Sequence, residues 1–80
     1  MADRITTLQA MIAKSPGDVF LHYSLGMEYA AGGQFDAAVT EFRQAIAIDA
    51  TYVPAYVEAG KSLRSAGRLG EAREIFAAGL

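Results

Sequence analysis

The sequence has no cysteine, no tryptophan, a single histidine and only two prolines among its 80 residues. The absence of cysteine excludes disulfide bonds, thiolate zinc sites and thiol nucleophiles, and it fits a reducing compartment. No apolar run approaches the roughly 18–20 residues that a membrane-spanning helix needs. The N-terminus also lacks the basic start and long apolar block of a secretory signal. We therefore expect a soluble, cytoplasmic chain.

Charge is sparse and nearly balanced. Charged residues make up 20% of the chain, hydrophobic residues make up 52%, and the formal net charge is −2. This composition is too apolar for a disordered chain, and the slight acidity argues against general binding to nucleic acid or to an anionic membrane. A chain of this length has room for one domain, which we take as residues 1–80.

The residues that are present favour helices throughout, because alanine is abundant and no strand-like alternation competes. Glycine and proline clusters divide the chain into five helical segments. The predicted segments lie near 3–14, 19–31, 36–48 and 52–65, with a last helix that opens at 70–71 and runs to the end of the chain.

Helix starts are predicted from capping residues. Asp18, Asp36 and Thr51 are the expected N-caps of the second, third and fourth helices. Phe35 stands just before the third helix, where it would staple the incoming chain. Pro54 falls in the first turn of the fourth helix, where its missing N–H does no harm.

A period of 34 residues relates 19–46 to 53–80. The identical pairs are Val19/Val53, Gly26/Gly60, Gly33/Gly67, Ala38/Ala72 and Phe42/Phe76. A glycine inside a helix costs about 1 kcal/mol relative to alanine. Two such glycines one period apart therefore indicate that a neighbouring helix must come close. We expect the small residues Ala38 and Ala72 to be the contacts.

These residues resemble the tetratricopeptide repeat, a helix-turn-helix unit of 34 residues with the pattern W-x2-L-G-x2-Y, A-x3-F and a closing proline. The first full unit presents His22, Leu25, Gly26, Tyr29, Ala38, Phe42 and Ala45. The second presents Tyr56, Ala59, Gly60, Leu63, Ala72, Phe76 and Gly79. His22 and Tyr56 replace the usual tryptophan and Ala50 replaces the closing proline, whereas Pro16 matches it.

The resemblance implies an all-α fold, a right-handed superhelical stack of antiparallel helix pairs with about five helices. Residues 1–18 would be an N-terminal helix, or half repeat. Residues 19–52 would form repeat 1, and residues 53–80 would form repeat 2, which ends in mid-pattern and suggests a truncated chain.

The family implies a scaffold for protein–protein interaction, in which the first helix of each pair lines a concave groove that takes a partner segment. The expected groove residues are Phe20, Tyr23, Met27, Ala30, Val57, Lys61 and Arg64. An apolar, aromatic strip beside two cations suits a segment that is apolar at one end and acidic at the other. The alternative is that Tyr23 and Met27 cover the N-terminal helix while Lys61 and Arg64 form a solvated face. The Lys and Asn clamp with which some members hold a C-terminal carboxylate is absent.

Chemistry is not expected. No carboxylate pair, catalytic triad or phosphate loop can be recognised, so we predict a protein that is not an enzyme and binds no cofactor. His22, the only imidazole, is interpreted as a packing residue, since no second His or Cys could complete a metal site.

Self-association is the alternative function. The last helix is expected to bury Ile75, Phe76 and Leu80 against its own pair, leaving its other side uncovered. A homo-oligomer or structural module could therefore form through open apolar edges, with a homodimer through the C-terminal helix as one form. The expected partner is otherwise an unidentified protein or peptide, with neither nucleic acid nor membrane involved.

Overall fold

The computed structural model describes residues 3–80, so the first two residues of the predicted N-terminal half repeat lie outside the described part. Five helices follow one another: α1 (Arg4–Lys14), α2 (Val19–Ala31), α3 (Phe35–Ile48), α4 (Val53–Ser65) and α5 (Leu69–Ala78). Each helix packs on the next along the chain, and α2 also touches α4. The result is the predicted all-α, right-handed stack of antiparallel helix pairs. Its division into the ranges 1–18, 19–52 and 53–80 stays a prediction, and we use repeat 1 and repeat 2 as names for the last two.

The helix starts confirm some of the capping predictions and correct others. Asp18 caps α2, since its carboxylate accepts from the backbone N–H of Phe20 at 2.9 Å. Pro54 lies in the first turn of α4, as expected. The predicted caps Asp36 and Thr51 are wrong.

Helix α3 begins one residue earlier than predicted, at Phe35, so Asp36 lies inside the first turn and Phe35 belongs to the helix. Helix α4 follows Tyr52, and the Thr51 N–H instead donates to the Asp49 carboxylate at 3.0 Å. Neither helix has a side-chain cap.

The turns inside the two repeats are closed in the same way. Gly33 and Gly67 have φ of 78° and 80°, a left-handed conformation that glycine adopts without a steric penalty. The next residue in each turn donates its N–H back to the helix, from Gln34 to the Tyr29 carbonyl at 2.9 Å and from Arg68 to the Leu63 carbonyl at 2.8 Å. These bonds complete the C-terminal capping pattern of α2 and α4.

Both mid-helix glycines are buried against a neighbouring helix, which confirms the close approach predicted from their spacing. The contact itself differs from the prediction. A Cβ at Gly26 would lie 2.5 Å from the Phe42 ring, and a Cβ at Gly60 would overlap the Phe76 ring. The close neighbours are therefore the two phenylalanine rings and not Ala38 and Ala72, although both alanines are buried nearby.

The core runs through both repeats. It is a cluster of buried side chains to which α3, α4 and α5 all contribute: Ala38, Val39, Phe42, Ala59, Leu63, Ala72 and Ile75. Of the residues expected to anchor the last helix, Ile75 is buried and Phe76 is half-buried. Leu80 was placed wrongly, because α5 ends at Ala78 and the Leu80 side chain is fully exposed.

Candidate partner-binding groove

The seven predicted groove residues lie on the two first helices of the repeats, α2 and α4. Phe20 is 62% exposed, Val57 is 41% exposed and Met27 is 37% exposed, so three apolar side chains of the set face solvent. Tyr23 and Ala30 are half-buried, and Lys61 and Arg64 are exposed.

Three aromatic side chains meet at the start of α4. Tyr52 makes edge-to-face contacts with Phe20, at 5.5 Å between ring centroids, and with Tyr23, at 5.4 Å. Tyr23 also contacts the buried ring of Phe42 at 5.7 Å. We call Phe20, Tyr23 and Tyr52 the aromatic cluster. It joins repeat 1 to the start of repeat 2 and presents the mostly exposed Phe20 ring to a ligand.

Tyr52 was missed by sequence analysis, which considered only the first-helix positions. Tyr52 directly precedes α4, and its equivalent in repeat 1 is the capping residue Asp18. An aromatic residue at a position that favours a capping side chain was the available signal.

The electrostatic character changes along the groove. Burial raises the pKa of the Tyr23 hydroxyl above its ordinary value, and the Glu58 carboxylate raises it further. The hydroxyl therefore stays protonated and can donate a hydrogen bond. Lys61 forms an ion pair with Glu58 at 3.4 Å. Within residues 3–80, no carboxylate lies within ion-pair distance of Arg64.

The alternative interpretation of Tyr23 and Met27 as a cover for the N-terminal helix has separate contacts to answer for. The contacts between α1 and α2 that involve polar side chains use other residues. Arg4 pairs with Glu28 at 3.0 Å, and Gln9 donates to the Tyr29 hydroxyl at 3.2 Å. Tyr23 packs towards Phe42 and Tyr52, on the side of the following helices.

His22 packs between helices with both ring nitrogens engaged. Nδ1 lies 2.9 Å from a Glu41 carboxylate oxygen and Nε2 lies 2.9 Å from the Pro16 carbonyl oxygen. The residue is 8% exposed, which agrees with its interpretation as a packing residue. No group of three or more His, Asp or Glu side chains suited to a metal ion occurs in the part of the chain that the structure describes.

A cleft of about 470 Å³ lies away from the predicted groove, between α3 and α5. Tyr56 of α4 lines it together with Arg43, Glu71 and Glu74. None of the seven predicted residues lines this cleft. It lies on the side of the second helices of the two repeats.

Comparison with known proteins places this geometry in a family. Two crystal structures of MamA share the fold, with TM-scores of 0.92 and 0.90 and sequence identities of 29% and 28%. The matches cover 95% and 94% of this chain but only 42% and 44% of the MamA chains, so this chain spans less than half of their length. No curated protein matches the sequence. The family model described as TPR repeat matches residues 26–67, and the chain belongs to the tetratricopeptide-repeat family.

Proposed function

We propose that the chain binds an extended partner segment along α2 and α4, with an apolar part of the segment on repeat 1 and an acidic part on repeat 2. The family supports the general role, since tetratricopeptide repeats are protein–protein interaction scaffolds and are in general not enzymes. The observation that carries the specific proposal is the row of exposed apolar side chains on α2 and α4, which continues into two exposed cations.

The two halves of the groove favour different ligand chemistry. Phe20 and Met27 offer apolar area that is still accessible, and methionine adapts its shape to a ligand. Lys61 and Arg64 supply hydrogen bonds to carboxylates, which are stronger than those between neutral groups. A segment that runs in the opposite direction would place its acidic end on the aromatic cluster and lose both sets of contacts.

The test is a selection of peptides from a random library on the whole chain. We expect the selected peptides to carry large apolar residues towards one end and Asp or Glu towards the other. Met27→Ala and Phe20→Ala should each weaken their binding about tenfold, because an exposed anchor is lost without a change to the core. Tyr23→Ala is expected to abolish binding as well, but it also removes packing on Phe42.

Met11→Ala is the matched control, since Met11 is 47% exposed on α1 and lies outside the groove. Its peptide affinity should equal that of the unmodified chain. Circular dichroism checks that each variant keeps its helical content. Peptides that bind the Met27 and Phe20 variants with unchanged affinity would show that the ligand lies elsewhere.

Self-association is the second candidate function, favoured by Leu69 and Leu80, which are 59% and 107% exposed at the two ends of α5. A homodimer through the C-terminal helix would cover them. Size-exclusion chromatography with light scattering at high concentration tests this, and a strict monomer would exclude it.

The remaining expectations concern location and chemistry. In residues 3–80, no helix combines the length and apolar character needed to cross a bilayer. A cytoplasmic location, and the absence of nucleic acid, membrane, cofactor and catalysis, remain predictions from the sequence.

A further inference from the structure

The first helix of repeat 2 rests on a surface that repeat 1 provides. Helix α4 packs on α3 and touches α2. Val39 of α3 is 6% exposed and belongs to the same buried cluster as Ala59 and Leu63 of α4, with Ala30 packed against that cluster. Val39 and Ala30 are therefore part of an apolar seat for α4.

Repeat 2 offers the equivalent seat with different chemistry. One period further on, Val39 becomes Arg73, Ala30 becomes Arg64 and Met27 becomes Lys61, and all three cations are exposed. Apolar side chains remain beside them, because Tyr23 is replaced by Val57 and Phe42 is repeated as Phe76. Val57 is 41% exposed and Phe76 is half-buried. We call Val57, Lys61, Arg64, Arg73 and Phe76 the end face.

The equivalence of the two seats rests on equivalent packing inside the repeats. The Gly26–Phe42 and Gly60–Phe76 contacts are one period apart and hold the two helices of each pair in the same register. The left-handed glycines Gly33 and Gly67 close both turns in the same way. A helix placed on the end face, as α4 is placed on repeat 1, therefore meets the cations named above.

The charges on the end face are largely uncompensated. Only Lys61 has an ion-pair partner, Glu58, and no carboxylate of residues 3–80 lies within ion-pair distance of Arg64 or Arg73. Two end faces brought together would place like charges opposite each other. An apolar helix would leave the guanidinium groups buried without partners, which is costly. A helix with carboxylates beside its apolar stripe satisfies both parts of the surface.

A second copy of this chain is a poor source of such a helix, since most of its helical carboxylates are already in ion pairs. The paired residues are Glu28, Asp36, Glu41, Glu58 and Glu71. We propose that the end face binds an amphipathic helix of a partner protein, with acidic side chains on Lys61, Arg64 and Arg73 and its apolar stripe on Val57 and Phe76.

This site is separate from the groove of the proposed function. Lys61 and Arg64 contribute to both surfaces, but Arg73 and Phe76 belong to the end face alone, and Phe20 and Met27 belong to the groove alone. The two proposals can therefore fail independently, and each has variants that leave the other untouched.

Helix α4 supplies the probe, because it is the helix that occupies the apolar seat on repeat 1. A peptide of residues 51–66 placed on the end face would bring its own Lys61 and Arg64 next to those of the protein, as Lys61 and Arg64 follow Met27 and Ala30 within the chain. The native-sequence peptide should be repelled. The same peptide with Lys61→Glu and Arg64→Glu should be attracted.

We expect the acidic peptide to bind at least about tenfold more tightly than the native-sequence peptide at low salt, since two repulsive pairs become attractive. The preference should disappear at about 1 M salt, where the screening length is only about 3 Å. Binding is measured by NMR titration at high peptide concentration, because an isolated helix of this length is marginal in water.

Variants of the protein complete the test. Arg64→Glu combined with Arg73→Glu should reverse the preference in favour of the native-sequence peptide, and both residues are exposed, so the fold is retained. Met27→Ala should leave the preference unchanged. Equal binding of the two peptides, no binding of either, or a preference that persists in the Arg64/Arg73 variant would each overturn the proposal.

Discussion

The two repeats close around the same glycine–phenylalanine contact, but they hold the phenylalanine differently. Phe42 is fully buried, whereas Phe76 is half-buried at the equivalent position. Repeat 1 has helices on both sides, since α1 packs on α2 and α4 packs on α3, whereas repeat 2 has α3 on one side only. The same sequence pattern therefore gives a rigid contact in repeat 1 and a looser one in repeat 2, because in stacked repeats the neighbours supply much of the burial.

The largest expected difference comes from Gly26→Ala and Gly60→Ala. Overpacking a core costs about 1–3 kcal/mol, and alanine returns about 1 kcal/mol of helix propensity. The Phe42 ring has no space to move, so Gly26→Ala should lower the free energy of unfolding by about 2 kcal/mol. The Phe76 ring can turn towards solvent, so Gly60→Ala should change it by less than about 1 kcal/mol. Denaturant unfolding followed by circular dichroism measures both.

Gly70→Ala is the control for this comparison. Gly70 lies in the first turn of α5, and a Cβ there meets nothing within 4 Å. The substitution should be neutral or stabilising, because only the gain in helix propensity remains. Equal losses for Gly26→Ala and Gly60→Ala would contradict the difference in rigidity between the repeats.

Sequence analysis located these two contacts because glycine inside a helix is rare enough to need a packing reason. It misidentified the partners because Ala38, Ala72 and the phenylalanines all lie on the facing helices, and spacing alone does not say which side chain reaches the glycine. The helix caps show the same limit. Asp18 was predicted correctly, whereas Asp36 lies two residues beyond the N-cap of α3, a shift that propensity does not resolve.

The groove residues were predicted from the family pattern, and their exposure followed from their positions on α2 and α4. What the sequence could not show was the aromatic cluster, because Tyr52 approaches Phe20 and Tyr23 only through tertiary packing. The cleft between α3 and α5 was missed for the same reason. Its lining residues come from three helices.

The repeats also anchor their first helices with different polar groups. In repeat 1, His22 lies between the Pro16 carbonyl and the Glu41 carboxylate. In repeat 2, the equivalent Tyr56 donates its hydroxyl to the Ala50 carbonyl at 2.7 Å, one period after Pro16. Ile75 replaces Glu41, so the second polar contact is absent there, and a hydrocarbon side chain fills its place.

This difference predicts an intermediate effect for Glu41→Ile. The change leaves His22 Nδ1 without its carboxylate partner in a nearly buried site, so the free energy of unfolding should fall by about 1–2 kcal/mol. Adding His22→Tyr and Ala45→Gly copies the packing of repeat 2, where a Cβ at Gly79 would lie 2.6 Å from the Tyr56 Cβ. Most of the loss should then be recovered.

Thermal and denaturant unfolding of the single and triple variants measure this recovery. Glu41→Gln is the matched control, since it keeps an oxygen acceptor for His22 and should cost less than Glu41→Ile. If the triple variant were less stable than Glu41→Ile alone, the two anchors would not be interchangeable.

The smallest expected effect concerns the turns that lead into α2 and α4. Before α2 the carboxylate of Asp18 caps the helix, whereas before α4 the carboxylate of Asp49 closes the turn itself. It accepts from the Thr51 hydroxyl at 2.6 Å and from the Thr51 N–H at 3.0 Å. These hydrogen bonds, the hydroxyl first, hold the pKa of Asp49 below its ordinary value.

Thr51→Ala should therefore raise the pKa of Asp49 towards its ordinary value, which NMR titration of the carboxyl carbon can follow. Because the folded-state pKa lies below the unfolded-state value, the bond stabilises the fold above the unfolded-state pKa, and this contribution is lost as the pH falls through the folded-state pKa. The stability difference between the variant and the unmodified chain should accordingly shrink in acid. Thr40→Ala is the control, since the Thr40 hydroxyl donates to the Asp36 backbone carbonyl and its loss should leave the Asp49 titration unchanged. An unchanged Asp49 pKa in Thr51→Ala would mean that the backbone N–H alone sets it, and the two turns would then differ only in where the carboxylate stands.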